Sequence, residues 1–257
     1  MDENVKLEAK GIYKEFDEEN PITILRDVSF VAKKQEFVSF VGPSGCGKTT
    51  LFNIIAGLLE PTGGNIYIDS EQTTGTVSSQ IGYVLQKDLL LPWRTIEENV
   101  ILGLEVRGMK KSEAKDRATE YFKSYKLDGY QKKYPSELSG GMKQRVALMR
   151  TMIMEPEIIL MDEAYKALDY PLKIDLESEL LSTVKENKKT VIYITHDIEE
   201  AVTLSDRVYI MKARPGEIVR EMEIDLGVDS TRMNERRASK KFNDYYETIW
   251  QSMGTSK

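Results

Sequence analysis

The segment Gly42-Pro43-Ser44-Gly45-Cys46-Gly47-Lys48-Thr49 has the spacing G-x-x-x-x-G-K-[ST]. Its glycines let backbone N–H groups turn inward around phosphate oxygens. An apolar, β-prone run, Phe37-Val38-Ser39-Phe40-Val41, precedes it, and Leu51, Phe52, Ile54, Ile55 and Leu58 follow at helical spacing. Strand, glycine loop and helix are the context that gives this motif its chemistry, because the helix N-terminus adds a positive dipole end. Lys48 is then expected to reach the β- and γ-phosphates and the Thr49 hydroxyl to bind Mg²⁺. Cys46 is expected to be just a small residue within the loop; the alternative is a thiol beside phosphate that can be modified. Further along, Ile158-Ile159-Leu160-Met161 runs into Asp162-Glu163. An apolar strand of this kind delivers its terminal carboxylates to the edge of an open α/β sheet where ligands bind. Asp162 would hold Mg²⁺, usually through water, and Glu163 would orient the attacking water or accept its proton.

These groups need a sheet to hold them. Val5, Leu7 and Ala9 alternate with polar residues, and 25–31 repeats the pattern, as half-buried strands do. Residues 65–69 and 81–85 read as further short strands, and the helix after the glycine loop is expected over 49–59. Pro61-Thr62-Gly63-Gly64 is a turn signal. From 96 to 151 the pattern is helical; Ala114, Ala118, Tyr121, Phe122 and Tyr125 mark one amphipathic face. Strand then returns: residues 158–161 and Val191-Ile192-Tyr193-Ile194 are continuous apolar runs suited to central parallel strands, with a helix over 172–185 between them and another strand at 207–211. The tail from 228 is polar, then carries Phe242, Tyr245, Tyr246, Ile249 and Trp250 at helical spacing. The expected fold class is α/β: a P-loop NTPase core with a mainly parallel sheet, an N-terminal antiparallel β portion and an inserted helical subdomain. The boundaries read as 1–92 and 155–227 for the two parts of the core, 93–154 for the helical subdomain and 228–257 for the tail.

Composition narrows the classes. In 257 residues, 36 Lys+Arg against 42 Asp+Glu give a net charge of −6, which argues against a general nucleic-acid binder. One cysteine and one histidine, His196, exclude a disulfide framework and a multi-Cys or multi-His metal centre. No apolar run approaches the roughly 18–20 residues needed to span a bilayer, and the charged start has no signal-peptide h-region. The chain is expected in the cytosol, reaching a membrane only through a partner.

Many phosphate-loop families share the first two motifs. The stretch Leu138-Ser139-Gly140-Gly141-Met142-Lys143-Gln144-Arg145 separates them. By itself it is a loop entering a helix, readable as a plain turn and cap or as an anion site at a helix start. Residues 138–144 also resemble the signature sequence of ATP-binding cassette (ABC) ATPases, and they stand shortly before the Asp-Glu strand, as in that family. Other landmarks resemble it in order: Gln86 the Q-loop glutamine, Ala167-Leu168-Asp169 the D-loop, and His196 the switch histidine. Phe16 sits where the adenine-stacking aromatic falls, with Tyr13 a weaker candidate. The resemblance runs from about residue 7 to 227.

It implies ATP and Mg²⁺ as ligands and a division of roles. Glu163, His196 and Gln86 would be catalytic, with His196 contacting the γ-phosphate and Gln86 touching Mg²⁺ or the water. Thr49, Gln86 and Asp162 would serve the metal. Nucleotide contacts would come from Phe16, from Gly42, Pro43, Ser44, Gly45, Cys46, Gly47, Lys48, Thr49 and Thr50, and from Ser139, Gly140, Gly141 and Asp169. In this family two cassettes dimerise head to tail, so that the signature of one covers the nucleotide of the other.

A narrower likeness surrounds Gln86. Residues 86–95, with Leu91-Pro92-Trp93, resemble the cassettes of nitrate, sulfonate and taurine importers, as do 213–218 and the charged tail. This implies an energy-coupling subunit on the cytoplasmic face of the membrane, a transmembrane permease as partner and, indirectly, a solute-binding protein. Exporter cassettes and non-transport ABC ATPases are the alternatives; pyrimidine-type vitamin precursors are compatible solutes too. Three positions depart from the subfamily pattern: Gln35 stands for a glycine, Ala164 for a proline, and Lys166 brings a cation to the expected dimer seam.

Overall fold

The computed structural model describes residues 4–17, 19–165 and 169–254. Its centre is a six-stranded sheet in the order β10-β9-β3-β8-β7-β6. The strands are β3 (Phe37–Val41), β6 (Ile81–Val84), β7 (Ile158–Asp162), β8 (Thr190–Thr195), β9 (Arg207–Lys212) and β10 (Glu217–Glu223). All pairs are parallel except β9 with β10. A second, antiparallel sheet packs beside it in the order β2-β1-β4-β5, from β1 (Val5–Phe16), β2 (Ile22–Lys33), β4 (Gly63–Ile68) and β5 (Glu71–Gln72).

Every residue of β3, β7 and β8 is buried, which is what continuous apolar runs demand. Alternate residues of one strand serve different cores. Ile158 and Leu160 pack with Val38, Phe40 and the antiparallel sheet, around Leu51 and Phe52 of α1 (Lys48–Ile55). Ile159 and Met161 face the helices α2 (Ile96–Val100), α3 (Leu102–Val106), α4 (Lys111–Ser124), α5 (Gly140–Met152) and α6 (Tyr170–Glu186). A third cluster joins α7 (Ile198–Leu204) to β9 and to the tail helix α9 (Phe242–Gly254), while α8 (Met233–Arg237) packs on α6 and α7. The helical stretch is thus several short helices, with a 3₁₀ turn at Pro135–Glu137.

One expectation is corrected, and two features go beyond it. The helix expected over 49–59 stops at Ile55. Gly57 turns left-handed (φ 73), and a Cβ there would stand 2.3 Å from the Thr76 carbonyl oxygen. Leu58, counted on the helix's apolar face, is therefore 64% exposed. Strand β10 carries Glu217, Arg220, Glu221 and Glu223 and gave no apolar signal, yet it closes the sheet edge on β9. Gln35, in place of a glycine, adopts φ 64 and donates its backbone N–H to Thr190 Oγ1 at 2.9 Å, so the left-handed turn before β3 is kept without one.

Candidate functional site

The loop after β3 enters α1 through Gly47, whose φ of 87 suits glycine. A Cβ on Gly47 would stand 2.6 Å from Leu25 Cδ2 of β2. Lys48 is buried and donates to the carbonyls of Gly42 (2.8 Å) and Pro43 (3.1 Å), with Cys46 Sγ at 3.4 Å. The loop thus carries its cation folded across its own mouth. Cys46 is fully buried, so its thiol is closed to reagents in this conformation, as suits a plain small residue rather than the alternative of a modifiable spot.

Strand β7 brings Asp162 alongside. Thr49 Oγ1 donates to Asp162 Oδ2 at 3.0 Å, across 113 positions of sequence. The next residue, Glu163, has φ 44, and its N–H donates to the Ile194 carbonyl at 2.9 Å. Left-handed backbone at a non-glycine residue is costly and tends to occur where geometry serves function. Here the bend leaves the Glu163 carboxylate between two neighbours. Gln86, just past β6, donates Nε2 to Oε2 at 3.2 Å; His196, just past β8, places Nδ1 3.2 Å from Oε1. With its proton on Nδ1, the imidazole donates to the carboxylate.

The resulting cleft, ≈ 420 Å³, is lined by Ile24, the loop from Ser44 through Thr50, Gln86, Asp162, Glu163 and Ile194. It lies at the C-terminal edge of the parallel strands, where open α/β sheets bind ligands. A larger cleft, ≈ 520 Å³, lies at the opposite edge around Lys6 and Thr190. Its buried Lys6 ammonium is already held by Asp69, Glu157 and Gln80. Size ranks that cleft first, but the chemistry is in the smaller one.

The structure brings together Lys48, Thr49, Thr50, Asp162, Glu163, Gln86 and His196. Gly42 and Pro43 take part through their carbonyls. Phe16 does not line the cleft. It stands 44% exposed at the end of the β1–β2 hairpin beneath the Lys14 ammonium, paired with Ile22, two residues from the cleft-lining Ile24. Ser139, Gly140, Gly141 and Asp169 also lie outside it. Ser139 caps α5 by accepting from Met142 N (3.4 Å), and Asp169 caps α6 by accepting from Leu172 N (3.2 Å). The Gly141 Cβ position lies 2.5 Å from Leu172 Cδ2, so these two helix starts pack against each other, and Ser139 and Gly140 stay exposed. Lys166, Ala167 and Leu168 lie outside the described residues.

Sequence reasoning did not single out Ile24, Ile194, Asn99 or Arg150. Asn99 is fully buried on α2. Its side chain accepts from Leu91 N (2.7 Å) and donates to the carbonyls of Leu91, Arg94 and Thr95 at 3.0–3.2 Å. Arg150 of α5 donates to the carbonyls of Asp88 (2.7 Å) and Leu89 (2.9 Å). Together they fix the segment after Gln86, which presents Leu89 (52% exposed) and Trp93 (73%) to solvent. The available signal was a lone asparagine at an apolar helix position, which needs partners when buried.

A glycine loop, an acidic strand end and a polar group just past each neighbouring strand make this a phosphate-loop nucleoside triphosphatase. Residues 25–166 match the ABC transporter family model. An uncharacterized ABC transporter ATP-binding protein, YtlC of Bacillus subtilis, is 42% identical over 233 residues, covering 91% of this chain and 89% of that one. The aliphatic sulfonates import ATP-binding protein SsuB of Bacillus thuringiensis subsp. konkukian is 42% identical over 205 residues, 80% of each chain. The dimeric structure of MJ0796, a bacterial ABC transporter cassette, superimposes with a TM-score of 0.75 at 35% identity, over 85% of this chain and 99% of that one; MJ0796 has also been solved in a post-hydrolysis state bound to ADP and Pi. The chain belongs to the ABC transporter family, as an ATP-binding cassette that hydrolyses ATP. Among the described residues no helix is long and apolar enough to cross a membrane.

Proposed function

We propose that this cassette is the energy-coupling subunit of an importer for a small solute of the nitrate, sulfonate or taurine class, or a related small organic molecule. One observation carries the reading: Gln86 touches the hydrolytic carboxylate and opens directly into a rigidly braced, outward-facing segment, 87–95, ending near an exposed tryptophan. The sulfonate-import relatives support the solute class. In this reading a permease receives residues 89–95, an external binding protein delivers solute to it, and the cassette sits peripherally at the cytoplasmic membrane face. Residues 93–154 act as the helical subdomain between the core parts 1–92 and 155–227, with 228–257 as the tail.

Each side chain then has a task. The loop amides and Lys48 bind the β- and γ-phosphates, Lys48 exchanging its loop carbonyls for phosphate oxygens. Thr49, Asp162 and Gln86 form an all-oxygen donor set at the loop's mouth. That set fits Mg²⁺, which favours a hydroxyl or carboxylate plus substrate phosphates over an all-protein cage. When bound, Mg²⁺ neutralises charge developing on the phosphates. Glu163 holds the attacking water and takes its proton; Gln86 and His196 fix the carboxylate, and His196 contacts the γ-phosphate. Phe16 stacks on adenine from the hairpin rim. Ser139, Gly140 and Asp169, which are exposed, and Gly141, buried against Leu172, serve the nucleotide of a second copy.

Trp93 is the most direct handle on coupling, because exposed tryptophans make strong interface anchors. Trp93→Ala should leave the isolated cassette's ATPase within about twofold of wild type. In proteoliposomes with the permease, solute uptake and permease-stimulated ATPase should fall by about tenfold or more, the loss of a ~2 kcal/mol contact. Normal uptake by this variant would remove the segment from the coupling path.

A further inference from the structure

The C-terminal tail reaches the turn that carries His196. Asp197, the next residue, caps α7 by accepting from Glu199 N at 2.9 Å, and its own N–H donates to Thr195 Oγ1 at 2.9 Å. Its other carboxylate oxygen takes Lys173 Nζ at 2.6 Å. Lys173 lies one turn into α6, its N–H bonded to the Asp169 carbonyl at 2.9 Å. The same ammonium meets Glu200 at 2.5 Å, and Glu200 in turn accepts from Tyr193 (2.8 Å) and Thr195 of β8. One lysine therefore ties the start of α6 to the end of β8 and the start of α7. Burial opposes the charge on Asp197, yet the Lys173 ammonium and the α7 amides hold its carboxyl below the usual carboxylate range, so the pair is ionic.

Lys173 is not enough for the acids around it: burial and then neighbouring Glu200 push the Glu177 carboxyl up to about 8. Glu177, one turn further along α6, is fully buried, and among the described residues neither of its oxygens has a hydrogen-bond donor. Lys173 is 3.8 Å away; the nearer cation is Arg237 Nη2, at 3.6 Å, from the tail. Arg237 also donates to the Tyr170 hydroxyl at 2.9 Å, lies over the Tyr170 ring, and has Nε 3.6 Å from Glu199 on the first turn of α7. Its own helix is pinned on both sides. Met233 is fully buried and its N–H donates to Ser178 of α6 at 3.2 Å, while Arg236 donates to the Thr203 carbonyl of α7. Arg237 thus touches the residue after Asp169, the buried acid of α6, and the turn after His196.

We propose that Arg237 is a positioning residue for hydrolysis: with Lys173 it completes an ionic frame that holds the His196 turn against the helix beginning at Asp169. The frame rests on the reading of His196 as the γ-phosphate contact. It makes the tail part of the catalytic framework of its own subunit. A loosened frame lets the imidazole drift, and misplacement on the ångström scale is costly in rate.

The test is a cycle with His196, read by single-turnover ATP hydrolysis on the full chain, with ATP affinity and thermal unfolding measured alongside. Arg237→Met should lower the hydrolysis rate by about tenfold with ATP affinity changed less than about twofold. Arg237→Lys, which returns the charge, should recover part of the loss. In a His196→Ala background, Arg237→Met should cost less than about twofold more, because the group it positions is gone. If Arg237→Met melts well below wild type, the double variant Tyr170→Phe/Glu199→Gln is read the same way; it keeps Arg237 over Glu177 and removes its two outer partners. An unchanged rate in these variants overturns the frame, as does a full tenfold cost that persists in slow His196→Ala protein. Near wild-type hydrolysis by His196→Ala alone would instead overturn the role of His196 on which the frame rests.

Discussion

Glu163→Gln is expected to retain ATP while losing most of its turnover. The amide has the carboxylate's shape, so the left-handed turn at Glu163 and the bond from its N–H to Ile194 need not change. What goes is the negative group that both Gln86 and His196 contact at 3.2 Å. A glutamine side chain has an NH₂ donor in place of one of the two oxygens, so it no longer offers an acceptor at both positions, and it cannot take a proton from water. Loss of a positioned base typically costs ~10²–10⁴-fold. Nucleotide affinity should stay within a few-fold of wild type, since the phosphates are bound by the loop and not by this group. Steady-state hydrolysis together with equilibrium binding checks both halves. A variant hydrolysing within about threefold of wild type would remove Glu163 from its role.

Lys48→Ala should fail earlier, at binding. Buried Lys48 brings one positive charge to the loop, and charge-assisted bonds of this kind contribute ~1.5–3 kcal/mol. The expected loss is ~10–10²-fold in ATP affinity. The substitution also frees the Gly42 and Pro43 carbonyls, which hold Lys48 across the loop mouth. Titration with a fluorescent ATP analogue measures the affinity, and unchanged binding would contradict the phosphate contact. The two variants differ in kind: Glu163→Gln binds without turning over, and Lys48→Ala does not bind well enough to turn over.

What could be read from sequence was local. The loop around Lys48 and the strand into Asp162 carry their context within a dozen residues, so motif and element predict each other. Strands β7 and β8 were legible because burial on both faces leaves only apolar residues. Helix α6 was legible from its position between them. The end of α1 was not, because it depends on Gly57 packing against Thr76, a contact made by folding. Strand β10 is an edge, so its exposed face carries charge and hides the pattern. The strain at Glu163 and the brace from Asn99 and Arg150 depend on backbone geometry that no spacing encodes. The carboxylates gathered near Lys173 come from α6 and α7, and Arg237 from the tail, so no linear window contains them. The nucleotide contacts assigned to Ser139 and Asp169 are in another position again. They stand away from this chain's own cleft, and in the proposed reading they serve the nucleotide of a second copy.

That second copy is the central claim, and mixed dimers test it most directly. One chain carries Lys48→Ala and the other Ser139→Arg, with Glu163→Gln in both so that bound ATP is not consumed. If Ser139 serves the opposite subunit, a mixed dimer has one site with both defects and one with neither; a closed two-fold dimer allows no other distribution. Random pairing makes about half the dimers mixed, so about a quarter of all sites are intact. Native mass spectrometry confirms that mixed dimers form, and retained radiolabelled ATP is counted after gel filtration. The account predicts tight retention in the mixture at about a quarter of sites and little in either parent alone. Retention in the mixture no greater than in the parents, with mixed dimers present, would contradict it.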